Sequence, residues 1–425
     1  MPNLISVSVS VVEWRFVHFG DHLRSETIRK AAAMSQAEIT LSGKAARFRE
    51  SVIRRMSVEA AKHGALNLAQ GMPDFPAPEA LRHAACEAIE AGVNQYAITW
   101  GDKLLRESIA AKYAWHQGLK VDPEEMLTVV CGATEAMIVA LTALINPGDE
   151  VVLTQPFYEN YWPDCVLTGA TPRFVSIRPP GWRLDLDELA RAFNDRTKAV
   201  ILCNPSNPTG VVMTPDELQA VATLCRKWNA VAIVDEIYEH ILYDGRKHLS
   251  MAAVDGMSDR SIVISGMSKT YAVTGWRVGT ILASPRLTRP MRQVHDFLTI
   301  GAAAPLQRAG AVAYRFEPAY YDRLAADYQA RRDRFCASLA EAGFGHVRPE
   351  GAYYVMADVS HLGFADDKEA ALALVRDAKV AAVPGSSFYL DDQGGDQCVR
   401  FCFCKRDETL EEAGRRLVAF ARSRG

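Results

Sequence analysis

No CxxC pair, no internal repeat and no low-complexity tract marks this chain of 425 residues, and each lack removes a class of protein. Nine cysteines, an odd number at irregular intervals, suggest neither a disulfide framework nor a zinc ribbon; they fit a reducing compartment, and the cytoplasm is the expected setting. Cys402 and Cys404, the closest pair, would face the same side of a strand and read as small core residues before metal ligands or a redox pair. A formal net charge of -3 gives no broad field for nucleic acid or an anionic membrane, so small molecules are the expected partners. The N-terminal stretch MPNLISVSVSVVEWRFVHFG is mildly apolar, but it has no basic leading region and Glu13 and Arg15 interrupt it, so neither a targeting signal nor a membrane span is expected there.

The chain is longer than one hydrophobic core usually supports, which predicts two domains. Helical periodicity begins after a second methionine, Met34, so residues 1–33 read as an extension without functional weight. From Thr128 to Ala283 short apolar runs alternate with helical stretches: VVLTQ, AVILC, VAIVDE, SIVIS and GTILA are nearly continuous, as strands buried on both faces are. This predicts an α/β domain with a mostly parallel central sheet flanked by helices. Between two of those runs, Thr214, Pro215 and Glu217 mark a helix start by N-cap, first-turn proline and capping box. Beyond about Pro305 a long amphipathic stretch, the segment GAYYVMADVS and further strand-like runs predict a smaller α+β domain.

Five clusters carry the chemistry. Lys269 follows the run SIVIS, at the strand end where open α/β sheets bind ligands; its amine can condense with an aldehyde and act as acid or base if its pKa falls from about 10.4. Ser268 and Arg277 offer a hydroxyl and a cation beside it. After the strand LTVV, backbone N–H groups of Gly132, Ala133 and Thr134 open a helix and can cradle a phosphate. Asp235 ends what should be a central strand, where a carboxylate is costly unless it meets a cation such as a protonated ring nitrogen. Tyr238 and Asn207 can hydrogen-bond a phenolic oxygen, and Tyr158 can stack on a flat ring. Each cluster alone has an ordinary structural reading. Together they describe an aldehyde, a phosphate, a basic ring nitrogen and a phenol on one planar ring, which is pyridoxal 5'-phosphate.

The segments NLAQGMPDFPAP, NQYAITWG, GATEA, NPSNPTG, VDEIY, SKTYAVTGWRVG and VRFCF, in this order, resemble the motifs of the class I and II aminotransferases, fold-type I pyridoxal-phosphate enzymes, from roughly Ala65 to the C-terminus. The resemblance implies a Schiff base on Lys269, a protonated ring nitrogen held by Asp235, and a ring oxygen held by Tyr238 and Asn207. It also implies a phosphate held by Gly132, Ala133, Thr134, Ser268 and Arg277, with Tyr158 over the ring. Tyr96 would reach the phosphate of a neighbouring subunit, so a homodimer with shared active sites is implied, and Arg400, with Gly71 and Asn207, would bind the substrate α-carboxylate. The chain then divides into 1–33, an N-terminal segment 34–75 packing with the small domain, a large cofactor-binding domain 76–304 and a small domain 305–425. Gly266 departs from the pattern, standing where many relatives carry Ser or Thr, and Ser265 is the candidate to supply the lost hydroxyl.

The implied reaction moves an amino group from an L-amino acid to a 2-oxo acid in two half-reactions. Thr134 stands where an aspartate-selective subgroup carries a lysine, so an aspartate-type activity is less expected than one on large neutral, aromatic or sulfur-containing donors, whose pocket Tyr96, Trp100, Tyr161 and Phe388 could line. The same cofactor site could run β-elimination on a cysteine conjugate. A DNA-binding regulator built on such a domain would need a helix-turn-helix with a basic face before Gly71, and that segment shows none.

Overall fold

The computed structural model describes residues 41–390 and 394–424. The chain divides into two compact units, Met1–Phe48 and Arg49–Gly425. Among its described residues the first unit holds one short 3-10 helix, Ala45–Arg47. The expected extension 1–33, and the first residues of the segment expected at 34–75, lie outside the described residues.

In the second unit the apolar runs form a seven-stranded sheet of β1 (Leu127–Val130), β2 (Glu150–Gln155), β3 (Thr171–Ser176), β4 (Thr197–Cys203), β5 (Val231–Asp235), β6 (Ser261–Gly266) and β7 (Gly279–Ala283). Its order is β1-β7-β6-β5-β4-β2-β3, and β7 alone runs against the others. Alternate residues of one strand enter different cores: Ile201 and Ile233 face one side, Val200, Ala232 and Val234 the other. Both sides are covered, which is why the runs are continuously apolar rather than alternating. Edge strand β3 does alternate in exposure.

Helix α1 (Val52–His63) is capped by Ser51, whose hydroxyl accepts from the Arg54 amide. Helix α2 (Gly132–Leu144) packs Ala136, Met137 and Ala140 on one sheet face. Helix α3 (Tyr161–Thr168) packs on that same face through Tyr161 and Cys165. On the other face lies α4 (Pro215–Trp228), opened by the expected capping box between Thr214 and Glu217.

The smaller sheet holds β8 (Gly345–His346), β9 (Tyr354–Asp358), β10 (Val383–Pro384) and β11 (Cys398–Cys402), in the antiparallel order β10-β11-β9-β8. The helices α5 (Pro318–Glu341) and α6 (Asp407–Arg422) pack together beside it. Their Phe335, Leu339, Leu410 and Leu417 share its core with Met56 and Ala60 of α1, and with Tyr238 from the turn after β5. The large sheet's active edge is thus anchored in the smaller core. Cys402 and Cys404 are fully buried there, as core residues.

The α/β architecture with a mostly parallel sheet and a smaller α+β part is as expected. The packing partner does not change at residue 305, however. Helix Ala304–Ala313 joins Leu81, Leu105 and Ile109 in a core on the large-sheet side, and the change falls inside α5, where Tyr321 belongs to that core and Tyr328 to the smaller sheet's. An amphipathic helix reads alike whichever core receives its apolar face.

Candidate active site

The carboxyl ends of β4, β5 and β6 converge on a cavity of about 560 Å³ whose walls include Lys269, Asp235, Tyr238, Asn207, Arg277 and Arg400. Ala133, Thr134, Tyr158, Ser268 and Gly71 line it as well, so residues spread over more than three hundred positions of sequence meet in one place.

Lys269 sits in the single turn Met267–Thr270 that follows β6. Its Nζ lies 3.4 Å from the carbonyl of Gly71, and 5.9 and 5.7 Å from the ring centres of Tyr238 and Tyr353. Burial lowers its pKa, against the upward pull of Cys404 and Asp235. That favours the neutral amine, the form needed to attack a carbonyl or take a proton.

Asp235 ends β5 with its carboxylate buried. Burial raises its pKa, while the Tyr161 hydroxyl, donating to Oδ2 at 2.8 Å, and the Ile237 amide, donating to Oδ1 at 3.1 Å, stabilise the charged form and pull the pKa back down. A cation facing this carboxylate would relieve the remaining burial cost. Tyr161 lines the cavity, as expected, and its hydroxyl also serves Asp235; the spacing of an aromatic cluster does not show which hydroxyl turns inward.

Gly132 begins α2 with φ +83°, and a Cβ there would overlap the guanidinium of Arg277. Among the described residues no side chain caps this helix start, and its Ala133 and Thr134 line the cavity with Arg277, whose Nη2 lies 3.4 Å from Thr134 Oγ1. This is the geometry of an anion cradle. Ser265 does not join it: its hydroxyl donates to buried Glu239 Oε1 at 2.5 Å, so it does not replace the hydroxyl missing at Gly266. Gly266 has its own reason, since a Cβ would stand 2.8 Å from the Val278 carbonyl and 2.9 Å from the Gly279 Cα. We expect Gly266→Ser to cost about 1–3 kcal/mol through overpacking, read as a lower Tm; an unchanged Tm would contradict this close approach.

Arg400, on β11, is buried between the Tyr354 and Phe388 rings, 4.3 and 4.7 Å from its guanidinium carbon. Its Nη1 donates to Asn207 Oδ1 at 2.8 Å and its Nη2 to the Ala69 carbonyl at 2.6 Å, while its Nε has no partner among the described residues. A buried cation with a spare donor suits a carboxylate. Gly71 is held close by: a Cβ there would overlap the Tyr354 hydroxyl, and the Tyr353 hydroxyl donates to its carbonyl at 3.0 Å. Tyr238 donates to Tyr354 at 3.1 Å, so this tyrosine pair completes a wall that composition did not mark out.

Three expected positions lie elsewhere. Tyr96 is 84% exposed and does not line the cavity. Trp100 stacks under Arg292 beside a separate cleft, and Phe388 is spent against Arg400. The cavity's apolar lining comes instead from Ile53, Met72 and Met137.

A mostly parallel sheet with a lysine, an aspartate and an anion cradle at its carboxyl edge defines an enzyme site for a phosphorylated aldehyde with a basic ring. Residues 64–417 match the family of aminotransferases of class I and II, and the chain belongs to that family, whose members depend on pyridoxal phosphate. The chain is 40% identical to a probable N-succinyldiaminopimelate aminotransferase of Mycobacterium tuberculosis, over 88% of this chain and 97% of that one. It is 36% identical to a methionine aminotransferase of Escherichia coli, over 86% and 95%. The solved structure of N-succinyldiaminopimelate aminotransferase from Mycobacterium tuberculosis matches with a TM-score of 0.87, covering 90% of this chain and all of that one. This chain is a pyridoxal-phosphate aminotransferase.

Proposed function

We propose that this enzyme takes the amino group of an L-amino acid with an extended side chain and passes it to a 2-oxo acid through the site around Lys269. The carrying observation is that Lys269, Asp235 and Arg400 share one cavity while each answers a different part of the reaction. Bound pyridoxal phosphate supplies an aldehyde that condenses with amines and a protonated ring that accepts the electrons of a Cα–H bond.

Asp235, steadied by Tyr161, holds the proton on the ring nitrogen. Tyr238 and Asn207 orient the ring oxygen, with Tyr158 over the ring. Gly132, Ala133, Thr134, Ser268 and Arg277 bind the phosphate. Lys269 Nζ, whose pKa burial lowers toward the neutral amine, would take the proton from the substrate Cα and return one to the cofactor carbon. Arg400 and Gly71 bind the α-carboxylate and so fix which bond at Cα faces the ring. The donor proposal leans on Ile53, Met72 and Met137, and on relatives named for methionine and N-succinyldiaminopimelate, both long and unbranched.

Exposed Tyr96, Ile98, Phe297 and Ile300 suit a homodimer in which Tyr96 serves the partner's phosphate site. Nine free cysteines suit the cytoplasm, and among the described residues no helix is long and apolar enough to cross a membrane. The large cofactor-binding domain and the small domain of this reading meet within α5, where the packing partner changes, rather than at residue 305.

The test adds single amino acids to holoenzyme without any oxo acid and follows the cofactor spectrum and released acids together. Stoichiometric conversion with an equal yield of 2-oxo acid is expected from long-chain donors. Pyruvate and ammonia accumulating from a cysteine conjugate, with the spectrum unchanged, would overturn the proposal. A second result is expected from Tyr161→Phe: removing a hydrogen bond to a charged group costs about 1.5–3 kcal/mol in kcat/KM. Because the hydroxyl lowers the Asp235 pKa, its loss should move the acid limb of the pH–rate profile to higher pH.

A further inference from the structure

The charged groups around the cavity are few, and most answer to the cofactor or the α-carboxylate. Lys269, Asp235, Arg277 and Arg400 are so engaged, which leaves Arg54 and Glu159. Glu159 accepts a hydrogen bond from the Ser51 hydroxyl at 2.6 Å, and the same hydroxyl accepts from the Arg54 amide at 3.1 Å. The first turn of α1 is thereby pinned to the loop carrying Tyr158, and Arg54 faces the cavity from a fixed backbone. Among the described residues the Arg54 guanidinium has no hydrogen-bond or ion-pair partner, and its side chain is exposed. Thr134 and its neighbours at the α2 start bring no cation of their own toward a substrate side chain.

We infer that Arg54 is a specificity-determining residue, reading an acid group at the far end of the substrate side chain while Arg400 holds the α-carboxylate. A guanidinium fork suits that task, and an unpaired one keeps all five donors for the ligand. Both arginines line one cavity whose apolar lining includes Met72 and Met137, which suits the methylenes of a long dicarboxylic amino acid or its oxo acid. The inference rests on the aminotransferase reaction proposed above and adds its side-chain class.

The experiment compares holoenzyme, Arg54→Gln and Arg54→Lys in the donor half-reaction on two acid and amide pairs, glutamate with glutamine and 2-aminopimelate with its terminal amide. The quantity read is the ratio of kcat/KM for acid over amide, at low and high ionic strength. Arg54→Gln should lower that ratio about tenfold for at least one pair, between what an exposed and a buried ion pair give, mainly through KM. Arg54→Lys should recover part of it, and salt should erode the ratio in the parent and Lys forms but not in Gln. An unmoved ratio in both pairs, or equal losses for acid and amide, overturns the inference alone. A parent enzyme that converts no donor at all overturns the proposed reaction and this inference with it.

Discussion

Lys269→Ala should lower turnover by roughly 10⁴-fold or more, the upper end of what one acid–base group contributes, because the same amine also binds the cofactor covalently. The argument begins with position: β6 is buried on both faces, and the turn Met267–Thr270 delivers the lysine to the strand's carboxyl edge, where burial lowers its pKa. Among the described residues no second lysine lines the cavity to substitute for it. Two readouts check the claim. Oxo-acid release from a single productive donor measures turnover, and borohydride reduction followed by peptide mapping asks where the cofactor is fixed. The parent should carry it on the peptide containing Lys269 and the variant nowhere. Turnover near the parent rate, or cofactor fixed at another lysine, would remove the central assignment.

Much of this site is legible in the chain because its chemistry is written in residue types that have few other reasons to sit at strand ends. A carboxylate closing VAIVD and a lysine following SIVIS are costly in a core, so a ligand is the natural explanation. The sheet was equally readable, since strands covered on both sides lose their polar alternation. What stayed hidden depends on which way a side chain turns. Tyr161 and Phe388 read as pocket-lining aromatics; Tyr161 does line the cavity, but the fold also points its hydroxyl at Asp235, and the Phe388 ring lies against Arg400 outside the lining. Ser265 lies near Lys269 in sequence but on β6, where its hydroxyl reaches Glu239 on the far side of the turn. Arg54 gave no signal, because one arginine in an amphipathic helix looks like any solvated charge until the helix start is seen at the cavity mouth.

Arg400→Ala should lower kcat/KM by about 2–5 kcal/mol for every donor, acid or neutral, since every substrate presents the α-carboxylate. The guanidinium is already oriented before substrate arrives: Asn207 and the Ala69 carbonyl fix its two terminal nitrogens, and the Tyr354 and Phe388 rings fix its plane. Alanine therefore removes a pre-set donor and leaves the Asn207 and Ala69 oxygens facing an empty space. Lysine should restore little, because a point charge on a flexible stem cannot make the same planar fork or stack between two rings. The pattern over substrates separates the two arginines of the cavity. Arg400 variants should lose activity across a donor panel by a common factor, whereas Arg54 variants should change only the ranking of acids against amides. A loss at Arg400 confined to dicarboxylic donors would exchange the two roles, placing the α-carboxylate at the mouth and turning the substrate end for end in the cavity.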